Sequence, residues 1–170
     1  MLTSKDITNK LLISITDGKR LGQIEDIYLD LEMRQVVGVY LGSEGLIRRK
    51  DKAILRSNVQ VCGIDAWLVS SADVLTTLDA IPDSASFTLV NNLRGREIQT
   101  DGGTKLGVVE DVLLNTDLQV LGFKLGKIYV QGPLAEKKAI IRDAVMDTGS
   151  KDRAMIVDLV VAESGSVPTE

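Results

Sequence analysis

One ten-residue stretch occurs twice in the chain. Leu21-Gly22-Gln23-Ile24-Glu25-Asp26-Ile27-Tyr28-Leu29-Asp30 returns as Leu106-Gly107-Val108-Val109-Glu110-Asp111-Val112-Leu113-Leu114-Asn115. From Gly22 to Gly107 the offset is 85 positions in a chain of 170, half of its length. Leu, Gly, Glu and Asp recur in register, and Ile27/Val112, Leu29/Leu114 and Asp30/Asn115 are close substitutions. A glycine lies just upstream in both copies, at Gly18 and Gly103. A tandem duplication is strongly constraining, because whatever one half forms the other must be able to form. Domains of roughly eighty residues bury only about 60% of their unfolded surface and are marginal alone. The two halves are therefore expected to pack together or to share an interface.

The local pattern within each half is that of short strands. Leu11-Leu12-Ile13-Ser14-Ile15 is an apolar run of strand length, followed by Asp17-Gly18, a hairpin signal because glycine takes positive φ without steric cost. In the repeated stretch the apolar positions step by three and then two, at Ile24, Ile27, Leu29 and again at Val109, Val112, Leu114. A strand carrying a bulge at Glu-Asp explains the break, since one extra residue switches the face. Val37, Val39 and Leu41 alternate next, as do Leu121, Phe123 and Leu125, with Gly38 and Gly122 opposite. A strand glycine marks a bend or the close approach of another backbone. Ile54-Leu55-Arg56 matches Ile140-Ile141-Arg142, Val59 matches Val145, and Trp67-Leu68-Val69 and Met155-Ile156-Val157 close each unit. About five or six short strands per repeat, with frequent turns, predict a mainly all-β fold of two tandem small bent barrels with short helical segments. The expected division is a first barrel at 1–81, a linker at 82–87, a second barrel at 88–163 and a disordered tail at 164–170. Ser70 to Leu75 reads as a short N-capped helix, and Trp67 as core.

Composition narrows the chemistry. The chain has no histidine, which removes the commonest metal ligand and the usual base near neutral pH. Its net charge of −4 argues against a general nucleic-acid binder. The single cysteine, Cys62, cannot form an internal disulfide and is expected to be a small buried hydrophobe. The start of the sequence lacks a signal-peptide pattern and no stretch approaches a membrane span. The expectation is a cytoplasmic protein, with peripheral contact to a membrane complex left open.

These residues resemble the PRC-barrel family. The first half reads Ile15-Thr16-Asp17-Gly18-Lys19-Arg20-Leu21-Gly22-Gln23-Ile24-Glu25-Asp26-Ile27, then Val37-Gly38-Val39. The second reads Gly102-Gly103-Thr104-Lys105-Leu106-Gly107-Val108-Val109-Glu110-Asp111-Val112, then Leu121-Gly122-Phe123, with an extra glycine in the turn after Asp101. On this resemblance Gly18, Gly22, Asp26 and Gly38, and their counterparts Gly103, Gly107, Asp111 and Gly122, are structural motif residues. The resemblance implies a strongly bent small barrel used for protein binding and assembly. The family includes the cytoplasmic domain of the reaction-centre H subunit of purple bacteria and the C-terminal domain of ribosome maturation factors. It implies no catalytic residue, cofactor or metal.

Other motifs have bland explanations. Val145-Met146-Asp147-Thr148-Gly149-Ser150 carries an aspartic-protease signature, but that chemistry needs two aspartates sharing a proton. The first repeat offers Cys62-Gly63-Ile64-Asp65 instead, so the reading is a strand ending in a polar turn. Glu25-Asp26 and Glu110-Asp111 are neighbours that point to opposite faces and make poor dyads. Asp101-Gly102-Gly103-Thr104-Lys105 lacks the spacing of a phosphate-binding loop.

One cluster differs between the repeats. Leu46-Ile47-Arg48-Arg49-Lys50-Asp51-Lys52 is apolar and then densely basic, whereas the matching loop carries Gln131-Gly132-Pro133-Leu134-Ala135-Glu136 before its lysines. Leu46 and Ile47 are read as apolar anchors and Arg48, Arg49, Lys50 and Lys52 as a polar rim for a protein partner. The leading expectation is a non-enzymatic adaptor that assists assembly or regulation of a larger complex, for which the family resemblance alone suggests a photosynthetic one, with homo-oligomers left open. Two alternatives are an RNA-processing or ribosome-associated factor and a small-molecule or ion-binding regulatory module.

Overall fold

The computed structural model describes residues 1–168. The first repeat supplies β1 (Leu2–Thr3), α1 (Ser4–Ile7), β2 (Leu11–Ser14), β3 (Arg20–Gln23), β4 (Asp26–Leu29), β5 (Val36–Glu44), β6 (Lys50–Leu55), β7 (Val59–Cys62), β8 (Ala66–Val69) and β9 (Thr76–Thr77). The second supplies β10 (Thr88–Leu89), α2 (Val90–Leu93), β11 (Glu97–Thr100), β12 (Lys105–Leu114), β13 (Val120–Ile128), α3 (Pro133–Lys137), β14 (Ala139–Ile141), β15 (Val145–Asp147), β16 (Met155–Val157) and α4 (Leu159–Ser164). The chain is mainly β, as its pattern predicts.

Two compact units result, and they do not follow chain order. The first unit holds Lys5–Leu31 and Val36–Leu89, and the second holds Met1–Ser4, Glu32–Gln35 and the chain from Val90 onward. The first unit has a five-stranded sheet, β10-β4-β5-β6-β9, and a four-stranded one, β3-β2-β8-β7. The second unit has one seven-stranded sheet, β14-β13-β12-β11-β16-β15, with β1 added on β12. These orders are open, and among the described residues no pairing joins β14 to β15.

The registers match between the units. Leu12 pairs with Gly22 and, in parallel, with Trp67, while Ile98 pairs with Gly107 and, in parallel, with Met155. Ile27 faces Val39 as Val112 faces Phe123, and Gly38 faces Leu55 as Gly122 faces Ile141. The repeated stretch behaves differently in the two copies. In the second unit β12 runs unbroken, with register shifts on both sides of Val109. In the first unit the chain switches partners at the same place. Ile24 N–H donates to Lys10 O at 2.9 Å beside β2, and Glu25 N–H donates to Tyr40 O at 2.8 Å beside β5. A bulge that opens this far is how one strand turns the corner between two sheets. The expected bulged single strand therefore holds for β12, and becomes two strands, β3 and β4, in the first repeat.

The first hairpins differ by one residue. Ser14 N–H donates to Lys19 O at 2.9 Å, and Gly18, at φ 69°, donates its N–H to Ser14 O at 2.8 Å. The second turn is shorter. Thr100 N–H donates to Thr104 O at 2.9 Å around Gly103, whose φ is 90°. Both glycines sit where a left-handed backbone is required.

The core is where the alternation places it. Ile24, Ile27, Leu29 and Val39 are fully buried in the first unit, as are Val112, Leu114 and Phe123 in the second. Trp67 is buried against the sheet as expected. A second apolar cluster covers the other face of the five-stranded sheet. Tyr28, Ala53 and Ile81 form its centre, with Leu78, Phe87 and Leu89 packed on them. The stretch read as a linker thus belongs partly to this cluster, through Phe87 beside the 3-10 turn Ser84–Ser86. Ser71 caps the 3-10 turn Ala72–Val74, its hydroxyl accepting from Asp73 N–H at 3.3 Å.

Two expectations need correction. Cys62 is exposed, because β7 is an edge strand with only Val59 buried. The stretch read as a tail begins in ordered structure: Ser164 ends α4, and Lys137 Nζ donates to Gly165 O at 2.7 Å. The last two residues of that stretch, Thr169 and Glu170, lie outside the described residues.

Candidate functional site

The basic cluster lies on the hairpin between β5 and β6. β5 extends to Glu44 and β6 begins at Lys50, so half of the segment from Ser43 to Lys52 is ladder, with a tip at residues 45–49. Gly45 has φ 113°, and an added Cβ there would press on Arg48 O. The turn that presents the tip therefore needs glycine.

At the tip Leu46 is 104% and Ile47 97% exposed. Neither extends a strand. Burying one aliphatic side chain is worth roughly 1.5–3 kcal/mol, so two adjacent ones left in water contribute nothing to folding. Arg48, Arg49 and Lys50 are exposed beside them. Lys50 Nζ lies 3.9 Å from Asp79. Lys52 departs from the rim. It sits on β6 and its Nζ pairs with Glu44 at 2.9 Å, leaving its side chain only 22% exposed.

The base of the hairpin is tied by side-chain hydrogen bonds. Tyr40 Oη and Ser43 Oγ are 2.9 Å apart, and Ser43 Oγ donates to Asp51 Oδ1 at 2.6 Å. Tyr28 packs edge-on to Tyr40, with ring centroids 6.2 Å apart. Burial, with Asp51 and Tyr40 adding to it, pushes the Tyr28 phenol far above its ordinary range. A cleft of about 490 Å³ lies beside the hairpin, lined by Arg49, Lys50, Asp51, Leu78, Asp79, Ser84 and Ala85. The hairpin thus presents an apolar point, a basic collar and a groove at one place in the first unit.

The matching segment of the second repeat is built the other way. Pro133 starts α3 at a position where its missing N–H costs nothing. Leu134 is fully buried, and Lys138, at φ 55°, turns the chain into β14. The apolar residue of this loop is used internally. Tyr129 remains half exposed, while Ile128 and Val130 are partly covered.

The motif residues serve the backbone. An added Cβ at Gly122 would run into Ile140 O, and one at Gly107 into Lys127 O. At Gly38 it would meet Ile54 O at 3.0 Å, and at Gly22, φ 149°, it would meet Leu41 Cδ2 at 3.1 Å. Asp26 and Asp111 are both buried, and each accepts the N–H of the next residue at 2.8 Å. These side chains hold the bulge in place. The network around Asp111 was not visible in the sequence. Ser4 Oγ donates to Asp111 Oδ1 at 2.5 Å, and Arg94 NH2 lies 3.6 Å from the same oxygen. Ser4 and Asp111 are 107 positions apart, so no local spacing could suggest the pair.

Asp147 is a turn residue. Its Oδ1 accepts from Gly149 N–H at 2.8 Å and its Oδ2 from Arg153 NH1 at 3.0 Å. The Gly149 N–H, reinforced by Arg153, holds its carboxyl below the usual carboxylate range. Among the described residues no group of three His, Cys, Asp or Glu side chains is placed to hold a metal ion, and no helix is long and apolar enough to cross a membrane.

Comparison with curated proteins finds no match to the chain. Comparison with family models does find one. It begins just before β10, ends within α4, and takes in the crowded Gly107 and Gly122 and the buried Asp111. By that match the chain carries a PRC-barrel domain at residues 87–163.

Proposed function

We propose that the protein is a non-catalytic cytoplasmic adaptor that docks a protein partner through the β5–β6 hairpin of its first repeat. A PRC-barrel domain points to a binding or adaptor module in general terms, and the partner and surface are our reading. One observation carries it: Leu46 and Ile47 are fully exposed at a hairpin tip whose base is pinned by Ser43 and Asp51. Adjacent protruding aliphatics with a basic collar suit a partner that offers an apolar pocket with an acidic rim. Buried anchors of this kind set the lifetime of a complex, and the charged rim sets its association rate and salt dependence. The first repeat, on this reading, is a diverged copy of the PRC-barrel unit that kept its core and changed this hairpin.

The test is photo-crosslinking from the tip inside the native cell. A crosslinking amino acid replaces Leu46 or Ile47 in one arm and Ile64 or Val160, which are 89% and 75% exposed, in the other. The reading expects one protein adduct from the tip positions that is absent from the control positions. The purified adduct partner should then dissociate faster from the Leu46→Ala, Ile47→Ala double variant and associate more slowly with the Arg48→Glu, Arg49→Glu variant. A partner captured equally from both arms, or one with unchanged kinetics, removes the hairpin from the interface. Adducts to lipid or RNA in place of protein would overturn the partner class.

A further inference from the structure

A cleft of about 410 Å³ in the second unit is lined by Asn91, Asn92, Arg94, Gly95, Arg96 and Lys151. Three of these residues are cationic, two are carboxamides and one is glycine. Among the described residues no carboxylate and no aliphatic side chain lines it. In a chain of net charge −4 the cleft is a local inversion of sign.

Arg94 is fixed from behind. Its NH2 donates to Ser4 Oγ at 2.5 Å, and Ser4 Oγ donates onward to Asp111 Oδ1 at 2.5 Å. Ser4 and Asp111 are both buried. Arg94 NH1 also donates to Asn91 Oδ1. With NH2 on the buried Ser4 hydroxyl and NH1 on Asn91, the Arg94 guanidinium is fixed in place as a positive charge at the cleft.

Arg96 is held differently. Its NH1 donates to Thr148 O at 2.9 Å, and among the described residues it makes no ion pair. On the adjoining turn Asp147 is paired with Arg153 at 3.0 Å. Partial burial and the like charge of Arg153 lower the Arg96 pKa from its ordinary value. A partly buried cation without a counter-ion is unfavourable, and a bound anion would relieve it.

The first repeat serves as an internal control. The β2 and β11 registers place Lys10 at the position of Arg96, Thr8 at Arg94, Asp6 at Asn92 and Lys5 at Asn91. Lys10 Nζ donates to Gly63 O at 3.0 Å, the same support that Arg96 gives the turn at Thr148. Bracing that turn therefore accounts for one cation in each repeat. It does not account for Arg94, for Lys151, or for an amide where the first repeat has a carboxylate.

We propose that this cleft binds the phosphate group of a small phosphorylated molecule, with Arg94, Arg96 and Lys151 supplying charge and the two asparagines supplying directed hydrogen bonds. Planar guanidinium forks match phosphate oxygens in geometry as well as charge. The volume exceeds that of one phosphate and leaves room for an attached sugar or nucleoside.

The test uses the full chain and inorganic pyrophosphate at constant ionic strength, by isothermal titration calorimetry and amide chemical-shift mapping. Saturable binding is expected, with the largest shifts at Gly95, Arg96 and Lys151. Arg96→Gln should weaken it at least tenfold. Because that variant also loses the bond to Thr148, Lys151→Gln is the second test: Lys151 is exposed, so the fold should be unchanged while affinity falls severalfold. Arg48→Glu, in the other unit, should leave pyrophosphate binding alone. Non-saturating shifts, shifts equally large around Arg48 and Arg49, or unchanged affinity in both cleft variants would each overturn the proposal.

Discussion

Leu2 lies opposite Leu114 in an antiparallel pair, so the first strand of the chain finishes a sheet made otherwise from the second repeat. The relation is reciprocal. Thr88, in the first strand of the second repeat, lies opposite Leu29 of the first. Leu29 and Leu114 are matching positions of the duplicated stretch, so each repeat gives its opening strand to the sheet of the other. Each compact unit therefore needs both halves of the sequence.

Excision of residues 87–163 should test this exchange. The fragment keeps β10, which has lost β4, and keeps β12, which has lost β1 along Leu113 and Leu114. Unpaired edges of this kind favour association. The fragment is expected to show a lower urea midpoint than the same sheet in the full chain, or to self-associate in sedimentation. A monomeric fragment with the full chain's midpoint would mean that β1 adds nothing.

The crowded glycines should be graded by what a Cβ meets. At Gly107 and Gly122 it meets a carbonyl oxygen, Lys127 O or Ile140 O, and backbone cannot step aside. At Gly22 it meets Leu41 Cδ2 at 3.1 Å, the end of a flexible side chain, although φ of 149° adds strain. Gly107→Val and Gly122→Ala should each destabilise by roughly 1–3 kcal/mol, the scale of overpacking in a tight site. Urea unfolding followed by circular dichroism measures it, and an unchanged midpoint at both positions would show that these strands can separate cheaply.

Acid should weaken the fold through its turn aspartates. The Asp147 carboxyl is lowered chiefly by the Gly149 N–H, that of Asp17 by the Lys19 N–H, and that of Asp79 by the Thr77 hydroxyl. A carboxyl whose folded pKa lies below its unfolded one stabilises the protein above the unfolded value, and that contribution disappears as pH falls through the folded value. With unfolded Asp near about 3.9, the loss from these groups falls below about pH 4. Urea midpoints measured from pH 7 to pH 3 should drop in that range, and Asp147→Asn should shallow the drop. The same variant should be silent in an assay for pepstatin-sensitive proteolysis; cleavage present in the parent and lost in the variant would contradict the turn role.

Much of this was legible because it is local. Period-two alternation located Val39 and Phe123 in the core, and the doubled Glu-Asp and Gly positions located the bulge and the crowded strand crossings. What escaped the sequence is set by distant partners or by sheet order. Nothing around Cys62 shows that β7 will be an edge strand. Nothing around Ser4 points to Asp111, and nothing around Asn91 and Arg96 points to Lys151. The break between β3 and β4 also escaped, because the same Glu-Asp step keeps one strand whole in β12 and splits it in the first repeat.

The two matching loops allow the hairpin anchors to be separated from ordinary core. Leu134 on α3 is fully buried, whereas Leu46 at the hairpin tip is fully exposed. Leu134→Ala removes buried methyl groups and leaves a cavity, a change that typically costs 2–5 kcal/mol. Leu46→Ala and Ile47→Ala remove groups that touch only water, and surface changes of that kind stay within about 0.5 kcal/mol. The expected result is a large fall in urea midpoint for the first variant and none for the double variant at the tip. If Leu46→Ala with Ile47→Ala destabilises the chain as much as Leu134→Ala does, the tip is packed in solution and is not free for a partner. If stability holds, any binding lost in the tip variant is lost at the surface itself, because the hairpin base at Tyr40, Ser43 and Asp51 keeps its hydrogen bonds in both proteins.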